Sequence, residues 1–135
     1  VQAATAIIAK LKVSSSLTAL LTTYASSAAV FTHVPQGLTS YPYVVLFDMG
    51  LGVADNDVSL GFDGVINIHS WSDNRNINTI GGIQKAIYDA LHHAELIMTD
   101  YKLVELHQEF STILRDPDGI TLHGVQRFRI ILQTI

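Results

Sequence analysis

Residues 62–94 carry two periodicities that meet at a readable boundary, and that junction limits the folds open to the chain. Over F-D-G-V-I-N-I-H-S-W, Phe62, Gly64, Ile66, Ile68 and Ser70 share one face of an extended strand, and Asp63, Val65, Asn67, His69 and Trp71 share the other. Ser72, Asp73 and Asn74 follow, with short polar side chains suited to accept from the first amides of a helix. Ile77, Ile80, Ile83, Ile87, Ala90, Leu91 and Ala94 then recur at helical spacing as one apolar stripe. A strand feeds a capped amphipathic helix, and each needs a surface to bury against.

The flanking sequence supplies it. Residues 3–24 read as helix, with Ile7, Ile8, Leu11, Leu17, Leu20, Leu21 and Tyr24 on one side, interrupted at Ser14-Ser15-Ser16. Serines compete for backbone hydrogen bonds, so two short helices or one bent helix are expected. Residues 29–34 form a short β-branched and aromatic stretch ended by Pro35-Gln36-Gly37, which predicts an edge strand. Tyr41-Pro42 precedes a continuous apolar run over 43–47, the pattern of a central strand buried on both faces. Residues 48–61, with their glycines and Asp55-Asn56-Asp57, read as a long loop or loose hairpin.

Residues 103–114 alternate, placing Val104, Leu106, Phe110 and Leu114 opposite Glu105, His107, Glu109 and Ser111. Asp116-Pro117-Asp118-Gly119 is a type I turn signal, and residues 120–134 form a last strand with Leu122, Phe128, Ile130 and Leu132 on one face. The expected fold is one α+β domain over 1–135. Its mostly antiparallel sheet of four to five strands carries an N-terminal helix, or two short ones, and a central helix on one face.

Composition excludes several classes of function. Eight Lys and Arg against twelve Asp and Glu leave no basic surface for a phosphate backbone. The absence of cysteine excludes disulfides and thiolate metal sites. No run reaches the ~18 apolar residues of a membrane helix, and the N-terminus lacks a basic leader, so a soluble, cytoplasmically made chain without membrane contact is expected. A mean hydropathy of +0.30 is on the high side for a small monomer and fits either a homo-oligomer or a well-filled core.

Motifs with a mechanism are missing. Asp55-Asn56-Asp57-Val58-Ser59 opens like a calcium loop, but Leu60 and Ile66 stand where that loop needs Gly and Glu. Gly50-Leu51-Gly52 lacks the third glycine of a dinucleotide fingerprint. His92 and His93 point about 100° apart on a helix, while His69, His107 and His123 sit on strands where their rings could converge on a metal. Trp71, beside the helix cap, is expected to close the end of the core. No enzyme, cofactor or resident metal is expected.

Several phrases, taken together and in order, resemble one family. They are Val34-Pro35-Gln36-Gly37, Tyr41-Pro42-Tyr43-Val44-Val45-Leu46, Ile68-His69-Ser70-Trp71-Ser72, Leu114-Arg115-Asp116-Pro117-Asp118-Gly119 and His123-Gly124-Val125-Gln126-Arg127-Phe128-Arg129. Over essentially its whole length the chain resembles the tail-completion, or tail-terminator, proteins of long-tailed bacteriophages and of phage-derived gene transfer agents. The resemblance implies a structural virion protein at the head-tail junction, made in the bacterial cytoplasm. It implies a ring, typically a hexamer, between the tail tube protein below and the head-completion or connector protein above, with DNA passing through the lumen without specific binding.

Candidate partner-interface residues are Asp55, Asn56 and Asp57 in the acidic loop and Arg115, Asp116 and Asp118 around the last turn, expected to project toward a neighbour or the lumen. Exposed edges at 29–34 or in the C-terminal hairpin are further contact candidates. Two alternatives stand beside this reading. One is a small-ligand or metal-binding α+β domain using the strand histidines, and the other is a connector or tube subunit of the same particle.

Overall fold

The computed structural model describes residues 2–35, 40–53, 60–117 and 120–134, with Phe47 described by its backbone alone. Helix α1 (Gln2–Lys12) and helix α2 (Ser15–Thr18) are separated at the serine run, where Ser14 is the N-cap of α2 and its hydroxyl accepts from Leu17 N at 3.4 Å. The helical stretch ends at Thr18, short of Tyr24. Instead β1 (Thr23–Tyr24) and β2 (Ser27–Ala28) make a minimal hairpin turning through Ala25 and Ser26, at φ 51° and 68°. Such a turn is ordinarily signalled by Gly or Asn, and neither is present.

The main sheet has five strands in the order β3-β4-β5-β7-β6: β3 (Val30–Phe31), β4 (Tyr43–Val53), β5 (Gly61–Ser72), β6 (Tyr101–Arg115) and β7 (Leu122–Thr134). Every pairing is antiparallel except β3 on β4, so the sheet is mostly antiparallel and the class is α+β. The peptide bond Tyr41-Pro42 is cis. Beside it, bonds from Thr22 N to Pro42 O and from Val44 N to Ala29 O fasten the start of β4 to the segment before β3.

In β4 the structure sharpens one expectation and corrects another. The strand continues through the glycines to Val53 and pairs antiparallel with β5, so of the loop or loose hairpin expected over 48–61 the described residues 48–53 are strand. A Cβ placed on Gly64 would fall on the Gly50 carbonyl, so the close approach of β4 and β5 depends on Gly64 having no side chain. β4 is also not central along its length: among the described residues β3 covers only Val44 and Val45, and beyond them β4 is itself the edge.

Helix α3 (Ile77–Leu91) lies on the sheet with Ile80, Ile83, Ile87 and Leu91 fully buried. At roughly 2 kcal/mol per buried aliphatic side chain, this stripe outweighs the exposed Lys85–Asp89 pair at 2.8 Å, worth about 0.3–0.5 kcal/mol. The stripe is shorter than the sequence suggested, since Ile77 is exposed and Ala94 lies past the helix end. The cap is also displaced: Ser72 Oγ accepts from Asn74 N and Asn74 Oδ1 from Asn76 N, so the true N-cap is Asn76, whose Oδ1 accepts from Asn78 N. A run of side-chain turns carries the chain two residues further before the helix starts.

Under α3 lies a polar patch. Gln84 Nε2 donates to Thr112 O at 3.0 Å, and Gln126 Nε2 donates to Gln84 O and Gln108 Oε1 at 2.9 and 2.8 Å. Gly124 makes room for it, because a Cβ there would stand 2.6 Å from Gln84 Nε2 and 2.9 Å from Ser70 Oγ. The rest of the core is apolar, joining Ile7, Leu11 and Leu17 to Ile66, Ile68, Leu106, Phe128 and Ile130.

Strand β6 departs from simple alternation. Register shifts between Leu103 and Glu105 and between Gln108 and Phe110 each insert one residue. Each insertion reverses which face the following residues take, so Leu106 is buried while Val104, Phe110 and Leu114 are exposed. The expected common face for these four residues is therefore wrong.

Candidate functional site

Helices cover one face of the sheet and leave the other bare among the described residues. Register fixes that outer face row by row. Tyr43, Trp71, His123 and Leu114 stand level at one end, and Asp48, Asn67, Arg127 and Phe110 near the middle. Toward the other end Asp63 and Ile131 are level with Glu105.

The first row is an aromatic stack. Trp71 lies between Tyr43, at 5.3 Å and 22°, and His123, at 4.3 Å and 10°. Tyr41 continues the stack beside Tyr43. Trp71 is thus half-buried on the bare face and does not close the core. His69 Nδ1 and His123 Nε2 meet at 2.6 Å. Burial lowers the His69 pKa from its ordinary value, reinforced by the charge of His123 and opposed by Asp48. His123 is lowered by burial and opposed by Asp116. The Tyr43 hydroxyl is raised, first by burial and then by Tyr41.

Two belts of polar side chains cross the middle of the face. Asn67 Nδ2 donates to Asp48 Oδ1 at 2.6 Å, and Arg127 Nε donates to Asn67 Oδ1 at 3.5 Å. Arg129 pairs with Asp63 at 2.6 Å and with Glu109 at 3.4 Å, and the bond to Asp63 is the main reason its pKa is raised. Two carboxylates thus offset the charge of Arg129.

His107 does not join His69 and His123. It is level with Arg129, seven residues along β6 from Leu114, which is level with His123. There it lies 3.6 Å from Glu105, which also takes His93 Nδ1 at 3.0 Å. The bond from His93 is the first cause holding the Glu105 carboxyl below its ordinary value. Among the described residues no three His, Cys, Asp or Glu side chains are grouped to hold a metal ion.

Of the residues flagged in the sequence, Asp55, Asn56, Asp57 and Asp118 lie outside the described residues. Arg115 ends β6 and is exposed. Asp116, half-buried, opens the turn with its amide donating to Thr121 O at 2.9 Å. Asp116 stands close enough to the aromatic row for its charge to oppose the lowering of the His123 pKa and to add to the raising of the Tyr43 pKa. The strand histidines and the shared face of His69 and Trp71 are legible in the sequence, but the stacking of Tyr43, Trp71 and His123 is not, because its members come from three separated strands.

The two sheet edges differ. Along the first half of β6, Ile97 bridges Lys102, His93 N donates to Leu106 O at 2.7 Å, and Gln108 N donates to His92 Nδ1 at 3.1 Å. Residues 48–53 of β4 have no such cover among the described residues. Val53, at 75%, and Leu60, at 58%, are exposed at the far end of the hairpin.

The family model described as tail completion protein gp17 matches residues 5–133. No curated protein matches significantly. Among solved structures, a chain from the virion of a native gene transfer agent particle is similar with a TM-score of 0.84 and 23% identity, over 96% of this chain and 92% of that one. At that identity the likeness speaks for the fold.

Proposed function

The chain belongs to the tail completion protein gp17 family, and we propose that it acts as a ring of six copies that ends the tail tube and joins it to the head-completion proteins. The match over residues 5–133 carries this reading, because it spans nearly the whole domain and not a single motif. The function is geometric and needs no catalysis. The protein works in the virion, at the head-tail junction, after synthesis in the bacterial cytoplasm.

Three features support the reading. The sheet has unlike edges, as a head-to-tail contact requires. Its bare face is stitched by cross-strand ion pairs, which suit a rigid part. The acidic residues Asp55, Asp57, Asp116 and Asp118 would line a lumen that lets DNA pass by repulsion, with Asn56 and Arg115 beside them at the contacts. Electron microscopy of particles made without the protein tests the role. Tails of abnormal length, or tails unjoined to heads, are expected. Normal tails on filled heads would refute it.

A further inference from the structure

One edge of the sheet is protected and the other is not, and the difference locates a contact. Globular chains block edge strands with bulges, lysines, prolines or covering segments, because a bare edge accepts another strand. Strand β6 uses several such devices over its first half: two bulges, Lys102, and the bonds from His93 to Leu106 O and from Gln108 to His92. Residues 48–53 of β4, D-M-G-L-G-V, have neither Lys nor Pro, and no described segment covers them. Among the described residues the second half of β6 is also open, apart from Thr112 O, which accepts from Gln84. It presents Phe110 and Leu114 at 53% and 52% exposure.

We propose that residues 48–53 of β4 form a strand-addition site whose occupant is residues 110–114 of β6 from a second copy of this chain. This rests on the ring reading and names its contact. Two open stretches at opposite edges of one sheet are unlike surfaces, so a two-fold dimer cannot join one to the other in a single contact. A head-to-tail array satisfies both in every copy.

Register adds a geometric consequence. Asp48 is level with Phe110, but from there the open part of β4 runs toward the Phe62 and Leu132 end, while the open part of β6 runs toward Trp71 and His123. Setting them side by side displaces successive copies by about five residues, or ~17 Å along the strands. A sheet closed into a cylinder needs such a stagger, because its strands tilt against the axis. The offset suits a closed ring with tilted strands.

The test uses Val53→Lys, which charges the β4 edge, and Leu114→Lys, which charges the β6 edge, with Val13→Lys as a control at a 77% exposed site outside the sheet. Sedimentation and native mass spectrometry read the assembly. The wild type and the control form the ring, and each edge variant stays at the 14.8 kDa subunit mass. An equimolar mixture of the two edge variants, which retains one sound contact, stops at a one-to-one dimer. A full ring from either edge variant, a mixture that stays monomeric, or ring loss in the control overturns the edge assignment and leaves the ring reading standing. A wild type that stays monomeric at every concentration overturns both.

Discussion

His69 Nδ1 lies 2.6 Å from His123 Nε2 between β5 and β7, a contact that holds when one ring donates its proton and the other accepts. A second proton removes the acceptor and sets two cations side by side. Burial lowers both pKa values from the ordinary 6.5, so the unfolded chain takes up protons in a window where the folded chain does not. The stability tied to the pair is complete above about pH 6.5 and falls as the pH drops below it. Denaturant titrations across this range are expected to show the loss in the wild type and a flatter profile in His123→Gln. Glu105, held below its ordinary value chiefly by His93, adds its own loss only near and below 4.5. Identical profiles for the two proteins would assign the window to other groups.

Gly64→Ala is expected to open the β4-β5 hairpin. The new methyl would meet Gly50 O and, at 2.8 Å, Leu51 Cα, both backbone atoms that cannot rotate aside. Relief requires the strands to part, at a cost of about 2–3 kcal/mol. Gly50→Ala, whose Cβ has nothing within 4 Å, is the control and should stay within about 0.5 kcal/mol of wild type. Equal melting temperatures for the two variants would contradict the close approach.

The fold class was legible because long amphipathic stretches report their own buried face. Ile66 and Ile68 on β5 and Ile80, Ile83 and Ile87 on α3 are buried as their spacing implies. What failed was whatever depends on a single inserted residue or on a distant neighbour. The second bulge of β6 reverses the face of Phe110 and Leu114 relative to Leu106, as the first does for Leu106 relative to Val104, and nothing in V-E-L-H-Q-E-F announces them. The glycines of β4 leave loop and hairpin both open because the sequence does not show that β5 passes closely over Gly50. The aromatic row was hidden for a related reason: Tyr43, Trp71 and His123 are far apart in sequence and meet only through the strand order.

The displaced helix cap gives a direct measurement. Ser72, Asp73, Asn74 and Asn76 are all short polar residues able to cap, but only Asn76 stands at the first turn of α3, accepting from Asn78 N at 3.0 Å. Asn76→Ala should cost about 1 kcal/mol, whereas Asp73→Ala, at an exposed site before the helix, should cost less than about 0.5 kcal/mol. The reverse order in chemical denaturation would return the cap to the earlier residues.

Gly124 and Gln84 are coupled through space that only one of them can occupy. A Cβ on Gly124 would sit 2.6 Å from Gln84 Nε2, displacing the amide that donates to Thr112 O. The cost of Gly124→Ala therefore combines strain with a buried polar group left without its partner, about 1–3 kcal/mol for each. In a Gln84→Ala background the methyl enters space the amide has vacated, and only the 2.9 Å approach to Ser70 Oγ remains. A double-mutant cycle by denaturant unfolding should give a favourable coupling of about 1 kcal/mol or more between the two substitutions. Strict additivity would mean that α3 shifts on the sheet and that Gly124 is not the residue that sets its distance.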